Sequence, residues 1–164
     1  MSRFLLMGAG GAVSAIAGNT NSLDLESTAS PNQYATASDS ASLSNLGNFT
    51  FEFWFKAETR TVYQEVLSKV TNTTTLYEYE LAFDSSNNLL VTFSSDGGAA
   101  NRSQFRTTNA ALADTTTWHH YAAVVTVATP AAVFYVDAVS VAVTNVLTAS
   151  TATSDTTATF SISS

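Results

Sequence analysis

Residues 48–59, NFTFEFWFKAET, carry a phenylalanine at every second position. A period of two places all of these rings on one face of a β-strand. Each large aromatic side chain that leaves water contributes about 2–3 kcal/mol, whereas an exposed aromatic stripe would promote aggregation. The stretch therefore predicts a strand whose aromatic face lies in the core of a sandwich. The stripe consists of Phe49, Phe51, Phe53 and Phe55.

The same alternation recurs along the chain, and no longer window has a convincing helical period. One further stretch has apolar residues at 77, 79, 81 and 83 with Glu78 and Glu80 between them, and another has Leu89, Val91 and Phe93. Many short strands at close spacing indicate an antiparallel sandwich or barrel. Strands are predicted at 21–25, 34–36, 49–57, 65–70, 77–83, 89–94, 104–107, 118–127, 131–136, 139–144 and 159–162, with a single helical turn at 41–46.

Composition limits the classes of function. The chain has 164 residues, which favours one domain with a core of its own. It has no cysteine, so disulfides and thiolate metal sites are excluded. Its 6 Lys and Arg residues are scattered and the formal net charge is -7, so a groove that follows nucleic-acid phosphates is not expected.

Four stretches, in this order, resemble a laminin-G-like domain of the concanavalin A-like lectin/glucanase superfamily. They are SLDLESTASPNQYATASDSASLSNLGNFTFEFWFKAE (22–58), EVLSKV (65–70), YELAFDSSNNLLVTFSS (79–95) and TTTWHHYAAVVTVATPAAVFYVDAVSVA (115–142). The resemblance runs from about Ser22 to Val143. It implies an all-β, antiparallel jelly-roll sandwich over residues 19–164. Because the matching motifs are structural, they specify the fold more closely than the function.

The chain departs from the family pattern in two places. Where the family has an Asp-Gly turn, this chain has Asp137-Ala138, so a tight type I′ turn must be made without Gly, which a wider loop would tolerate. The family also continues into a strand of the kind Phe-x-Gly-x-Ile-Asp-Glu-Val, whereas this sequence ends at TFSISS. Residues 1–18 fill that place, or a neighbouring chain does, or the sheet keeps an open edge, or the sequence is truncated.

The first 18 residues, MSRFLLMGAGGAVSAIAG, have two interpretations. Ala15-Ile16-Ala17 fits the cleavage site of a leader peptide, and the apolar run is too short to span a bilayer. Alternatively, the segment is an ordered arm that docks on other subunits, with its small residues allowing close backbone approach. The apolar contacts of that assembly arm would be made by Phe4, Leu5, Leu6 and Met7.

No complete catalytic constellation is apparent. His119 and His120 are adjacent on a predicted strand and are interpreted as structural. Glucanases of the resembled superfamily use paired glutamates, and the alternation places Glu78 and Glu80 on one face, but a third acid is missing. Glu52, Glu78 and Glu80 are therefore interpreted as solvated strand charges, and we predict that the protein is not an enzyme.

Loop residues supply the candidate ligand site. The segment SSDGGAANRSQFR (94–106) suits sugar or protein contacts at the rim of the sandwich, or else is a flexible polar hairpin loop; the candidates are Asp96, Asn101, Arg102, Gln104 and Arg106. The resemblance also makes calcium the cofactor to consider. Acidic and amide side chains occur in several loops, but no run of them resembles a calcium loop, so no metal ligands are assigned. These residues are Asp84, Asp96, Asn101, Asp114 and Asp137.

Two functional classes fit these observations. The first is a structural or adhesive subunit of a larger surface assembly, such as a bacteriophage virion, with other protein subunits as its partners. The second is a secreted or cell-surface carbohydrate-binding module with a glycan as its ligand. Both predict a location on a virion or an extracellular surface.

Overall fold

The computed structural model describes residues 2–6, 23–25, 33–72 and 76–163. These residues form short strands joined by turns, with a single 3-10 turn at Ala41–Leu43. None of their helical segments is long and apolar enough to cross a membrane. The strands are β1 (Ser2–Leu6), β2 (Leu23–Leu25), β3 (Ala35–Ala37), β4 (Phe49–Lys56), β5 (Gln64–Asn72), β6 (Leu76–Phe83), β7 (Leu89–Ser94), β8 (Arg102–Thr107), β9 (His119–Thr126), β10 (Ala131–Val136), β11 (Val139–Val141), β12 (Val143–Thr148) and β13 (Phe160–Ile162).

The strands make two sheets. One has six strands in the order β11-β10-β9-β4-β1-β2, and the other has seven in the order β12-β8-β7-β6-β5-β13-β3. The strand pairs in both sheets are antiparallel. The predicted all-β, antiparallel jelly-roll sandwich is confirmed.

Aromatic rings from the two sheets meet in the core. Phe53 and Phe55 on β4 are each 1% exposed, and Phe49 and Phe51 are partly buried against the same cluster. The Phe55 ring stacks on Phe83 of β6 with 5.4 Å between centroids. The phenylalanine stripe is therefore core, as predicted, because its face of β4 is the one that meets the opposite sheet.

Most predicted strands are present, but the one at 139–144 is wrong. The segment contains two strands: β11 pairs with β10 in the six-stranded sheet, and β12 pairs with β8 in the seven-stranded sheet. The change of sheet falls at Ala142, whose carbonyl accepts a hydrogen bond from the Thr108 amide at 2.8 Å. Alternation continues through such a corner, so the sequence pattern does not reveal it.

Strand β1 occupies an interior place in the six-stranded sheet. It pairs with β2 on one side, with Arg3 opposite Asp24, and with β4 on the other, with Leu5 opposite Trp54. The backbone of residues 4–6 of the predicted assembly arm thus lies in the sheet of its own chain, and Met7 is outside the described residues. Contact of this segment with another subunit stays a prediction. The last described strand, β13, lies between β5 and β3.

The β10–β11 connection is a tight two-residue turn made without glycine, and not the wider loop that would tolerate its absence. Val136 is directly paired with Val139, and both intervening residues have positive φ, 50° at Asp137 and 66° at Ala138. The Asp137 carboxylate accepts a hydrogen bond from the His120 amide at 2.9 Å and contacts the His119 ring at 2.7 Å. These contacts stabilise a left-handed conformation that glycine would otherwise supply.

Candidate functional site

A row of polar side chains crosses the outer face of the seven-stranded sheet. Strand registers place these residues side by side, and they alternate with core residues such as Leu81 and Val91. They therefore point away from the core, and together they form a polar floor. From β3 to β8, the polar floor consists of Thr36, Ser161, Ser68, Glu80, Thr92 and Gln104.

Most residues of the polar floor are small and joined by hydrogen bonds. The Ser68 and Ser161 hydroxyls are 3.0 Å apart, and Gln104 Nε2 donates to Thr92 Oγ1 at 3.0 Å. Ser68 and Thr92 are buried, whereas Thr36 is exposed and Ser161 and Gln104 are partly exposed, so a ligand would reach the floor at its ends. Each hydroxyl can both donate and accept, so the surface suits a ligand rich in hydroxyl groups.

Glu80 lies at the centre of the polar floor and is 9% exposed. One carboxylate oxygen accepts a hydrogen bond from the Tyr63 hydroxyl and the other from the Tyr77 hydroxyl. Burial, and then the nearby charge of Glu80, raise the pKa of both tyrosines far above its usual value. Both tyrosines are therefore neutral donors that hold the Glu80 carboxylate in place.

Glu78 and Glu80 do not share a face, which corrects the sequence interpretation. On β5, Lys69 is opposite Tyr79, but the next residue, Val70, is opposite Tyr77. Glu78 is thus the extra residue of a β-bulge, and the alternation reverses there. Glu80 joins the polar floor. Glu78 instead contacts Lys69, and Lys69 is paired across the strands with the core residue Tyr79. Neither glutamate is a solvated strand charge, since Glu78 is fully buried as well.

Glu78 joins strands to loops. Its carboxylate accepts hydrogen bonds from Lys69, from the Thr156 amide at 2.6 Å and from Ser44 Oγ at 3.4 Å. Lys69 in turn contacts Asp39 at 2.8 Å. This buried cluster fixes the 39–44 and 153–156 segments against β5 and β6, and it has no opening toward the polar floor.

A groove of about 870 Å³ runs over one end of the polar floor, beside β3, β5 and β13. Two tyrosines rise from it, Tyr34 with 63% and Tyr63 with 54% of its surface exposed. Thr36, Ser161 and Ser163 are among the hydroxyl-bearing residues that line it. The groove therefore combines exposed aromatic side chains with many hydroxyl donors and acceptors.

Glu65 is the charged residue among those that line the groove. Its Oε1 accepts a hydrogen bond from Ser68 at 2.7 Å and a longer one from Ser163 at 3.4 Å. Burial raises the pKa of Glu65, and the charge of Glu80 raises it further, against the lowering effect of the two serine hydrogen bonds. Glu65 is thus the ionisable group that a ligand in the groove would meet.

The predicted ligand residues separate into three places. Gln104 belongs to the polar floor, and the Arg102 guanidinium lies over the Tyr77 ring, 5.9 Å from its centroid. Arg106 forms an ion pair with Asp84 at 3.3 Å. Asp96 and Asn101 are hydrogen-bonded to each other in the β7–β8 loop at 2.5 Å. Their role in ligand binding stays a prediction.

Both histidines have acidic partners that the sequence did not reveal. The His119 ring contacts Asp137 at 2.7 Å and Asp114 at 3.1 Å, and the His120 ring contacts Glu52 at 2.9 Å. Hydrogen bonds from Thr117 and Thr116 hold the pKa of Asp114 well below its usual range, and the bond to Asp137 raises the pKa of His119. Within the described part of the chain, no group of three or more histidine, aspartate or glutamate side chains is placed to hold a metal ion.

Sequence reasoning missed the residues that define the groove. Tyr34 and Glu65 each begin a short predicted strand and Tyr63 lies just before one, so none of them belongs to an alternating stripe. The signal that could have found them is the position of the two tyrosines. Their apolar rings lie outside the alternating stripes and so have no assigned place in the core. The distance along the chain between residues 34 and 63 concealed that they line one groove.

Comparison with known proteins identifies the family of the chain. A family model described as the concanavalin A-like lectin/glucanases superfamily, of laminin-G type, matches residues 28–163. No curated protein matches the chain. Domains of this type are generally carbohydrate-binding or adhesive modules without catalytic activity. The match covers far more than half of the sequence, as the resemblance in its motifs implied.

Proposed function

The chain belongs to the concanavalin A-like lectin/glucanases superfamily, and we propose that it is a non-enzymatic adhesive module that binds a carbohydrate in the groove beside β3, β5 and β13. The observation that carries this proposal is the pair of exposed tyrosines, Tyr34 and Tyr63, above a floor of small hydroxyl side chains. Its partner would be a glycan on a surface that the protein meets.

The groove matches the chemistry of sugars. A pyranose ring has an apolar face of C–H groups, which packs against an aromatic ring, and a rim of hydroxyls, which exchange hydrogen bonds. Tyr34 and Tyr63 offer the aromatic surface, and Thr36, Ser161 and Ser163 offer hydroxyls. The volume of about 870 Å³ suits a short oligosaccharide.

The state of Glu80 supports a binding role over hydrolysis. Glycosidases need two carboxyl groups that reach the scissile bond from opposite sides. Glu80 is 9% exposed, and each of its oxygens accepts a hydrogen bond from a tyrosine. A carboxylate held in this way is poorly placed to attack a sugar or to activate water. Glu65 therefore lacks the second carboxyl group that hydrolysis would require.

A second candidate is a structural or adhesive subunit of a larger assembly, such as a virion. It is favoured by apolar side chains on the outermost strands, β11 and β12, at one side of both sheets. Val139, Val146 and Leu147 there are 65%, 47% and 40% exposed. Uncharged edge strands with exposed apolar residues are typical of protein contacts. The two roles are compatible, because these strands lie at the opposite end of the seven-stranded sheet from the groove.

A glycan array probed with the full chain tests the first proposal. We expect binding to a defined set of oligosaccharides and at least a tenfold loss in Tyr34→Ala and Tyr63→Ala, since aromatic contacts carry most of the affinity of such sites. Tyr135→Ala, a partly buried tyrosine of the other sheet, is the matched control and should bind normally. Equal binding by all variants, or no binding to any glycan, would contradict the proposal.

Light scattering tests the second candidate. If β12 contacts other subunits, the full chain should form oligomers that Val146→Glu separates, while Thr144→Glu on the same strand provides a control for added charge alone. A full chain that stays monomeric at high concentration argues against this role for the edge strands.

A further inference from the structure

The groove has an acidic character. Among the described residues that line it, Glu65 carries a charge and none is a lysine or an arginine. Glu65 receives hydrogen bonds from Ser68 and Ser163 and forms no ion pair within the described part of the chain. A carboxylate without a cationic partner, beside a binding groove, favours a ligand that brings positive charge.

We propose that the groove recognises an amino sugar through its protonated primary amine, held by Glu65 beside the rings of Tyr34 and Tyr63. This inference rests on the proposed glycan-binding function and names the class of glycan. An ammonium group carries three donors and no acceptor, which fits a carboxylate and the surrounding hydroxyl oxygens. Tyrosine faces attract cations as well, so the aromatic walls add to the same preference.

The surrounding charges agree with this choice. Glu80 lies behind Tyr63 and adds a second negative charge near the groove. Arg102 lies over Tyr77, and within the described part of the chain no hydrogen bond joins it to Glu65 or Glu80. Sugars with sulfate or carboxylate groups would meet Glu65 without a compensating cation, and the groove should reject them.

Calorimetry with two oligosaccharides of equal length tests the proposal. The probes are a tetramer of glucosamine and the corresponding tetramer of N-acetylglucosamine, titrated into the full chain at several pH values from mildly acidic to neutral, so that the range includes a pH at which the amine is protonated and Glu65 is ionised. We expect the glucosamine tetramer to bind at least tenfold more tightly. Glu65→Gln keeps the shape of the side chain and should abolish this preference without abolishing the weaker binding of the acetylated tetramer. Glu58→Gln, outside the groove, is the control for net charge and should keep the preference.

The outcomes separate this inference from the function on which it rests. If both tetramers bind equally well and Tyr63→Ala weakens both, the glycan-binding function stands and the amine preference is wrong. If a preference exists but Glu65→Gln retains it, the assignment to Glu65 is wrong. If neither tetramer binds and a lysine-rich peptide does, both the inference and the glycan-binding function fail.

Discussion

The ammonium group of Lys69 and the carboxylate of Glu78 form an ion pair in which neither side chain is exposed to solvent. Burial alone would lower the pKa of Lys69, but its hydrogen bonds to Asp39 and Glu78 raise it above the usual value. Lys69 is therefore charged in the folded protein. The pair connects β5 and β6 to the loops that carry Asp39 and Thr156.

Lys69→Met should destabilise the protein by about 3–5 kcal/mol, because it leaves the charge of Glu78 buried without its cation. Urea denaturation measures this as a lower midpoint. The double variant Lys69→Met/Glu78→Gln removes both charges and should recover a substantial part of the loss. A single variant as stable as the wild type would show that the pair has no role in folding.

The burial of this pair shows where sequence reasoning stops. Alternation predicted β4, β6 and β7 and the phenylalanine core because a period of two follows directly from strand geometry. It placed Glu78 and Glu80 together because a β-bulge at Glu78 leaves no mark in the sequence YEYELAF. The bulge depends on the hydrogen-bond ladder with β5, which is a property of two strands rather than one.

The candidate site was harder to predict than the fold for a similar reason. Arg102 and Gln104 were predicted as ligand residues because polar residues cluster in one loop and strand, but neither of them lines the groove. The groove is instead assembled from three places in the chain, represented by Tyr34, Tyr63 and Ser161, and it exists only once β13 lies between β5 and β3. Side chains that converge through sheet order have no spacing signal in the sequence.

Ala138→Gly should stabilise the protein by about 0.5–1 kcal/mol. Ala138 has a φ of 66° in the β10–β11 turn, a conformation that costs energy for residues with a Cβ atom. Thermal unfolding should show a higher midpoint for this variant. Ala132→Gly, inside β10 where φ is that of a strand, is the matched control and should lower the midpoint. A drop with Ala138→Gly would mean that the alanine methyl group contributes contacts that outweigh the strain.

The stability of the fold should fall as the pH rises from about 6 to about 8. The pKa of His119 is raised in the folded protein, mainly by its contact with Asp137 and then by Asp114. A raised pKa adds stability that is complete below the unfolded value of about 6.5 and is lost as the pH passes the folded value. The pKa of Asp137 and of Asp114 is lowered, so both carboxylates remain ionised across this window.

Thermal unfolding at several pH values measures this dependence. His119→Gln should flatten the profile between pH 6 and 8, and Asp137→Asn, which tolerates the positive φ of the turn, should reduce its slope. Below about pH 4, protonation of the two aspartates should destabilise the wild type. An unchanged slope in His119→Gln would assign the effect to another group.

Strand β1 should be required for the stability of the six-stranded sheet. Its backbone pairs with both β2 and β4, so a chain that starts at residue 7 would leave β2 without its partner in the sheet and β4 with one unpaired edge. We expect a clearly lower midpoint of thermal unfolding for that truncated chain. A synthetic peptide of residues 1–8 should raise the midpoint again as its concentration increases, because it binds the folded state by adding the missing strand. A peptide of the same composition in scrambled order is the control. If the truncated chain instead keeps its full stability, ignores the peptide and differs from the full chain only by losing oligomers in a sizing experiment, then Phe4, Leu5, Leu6 and Met7 act as the assembly arm and not as an intrachain strand.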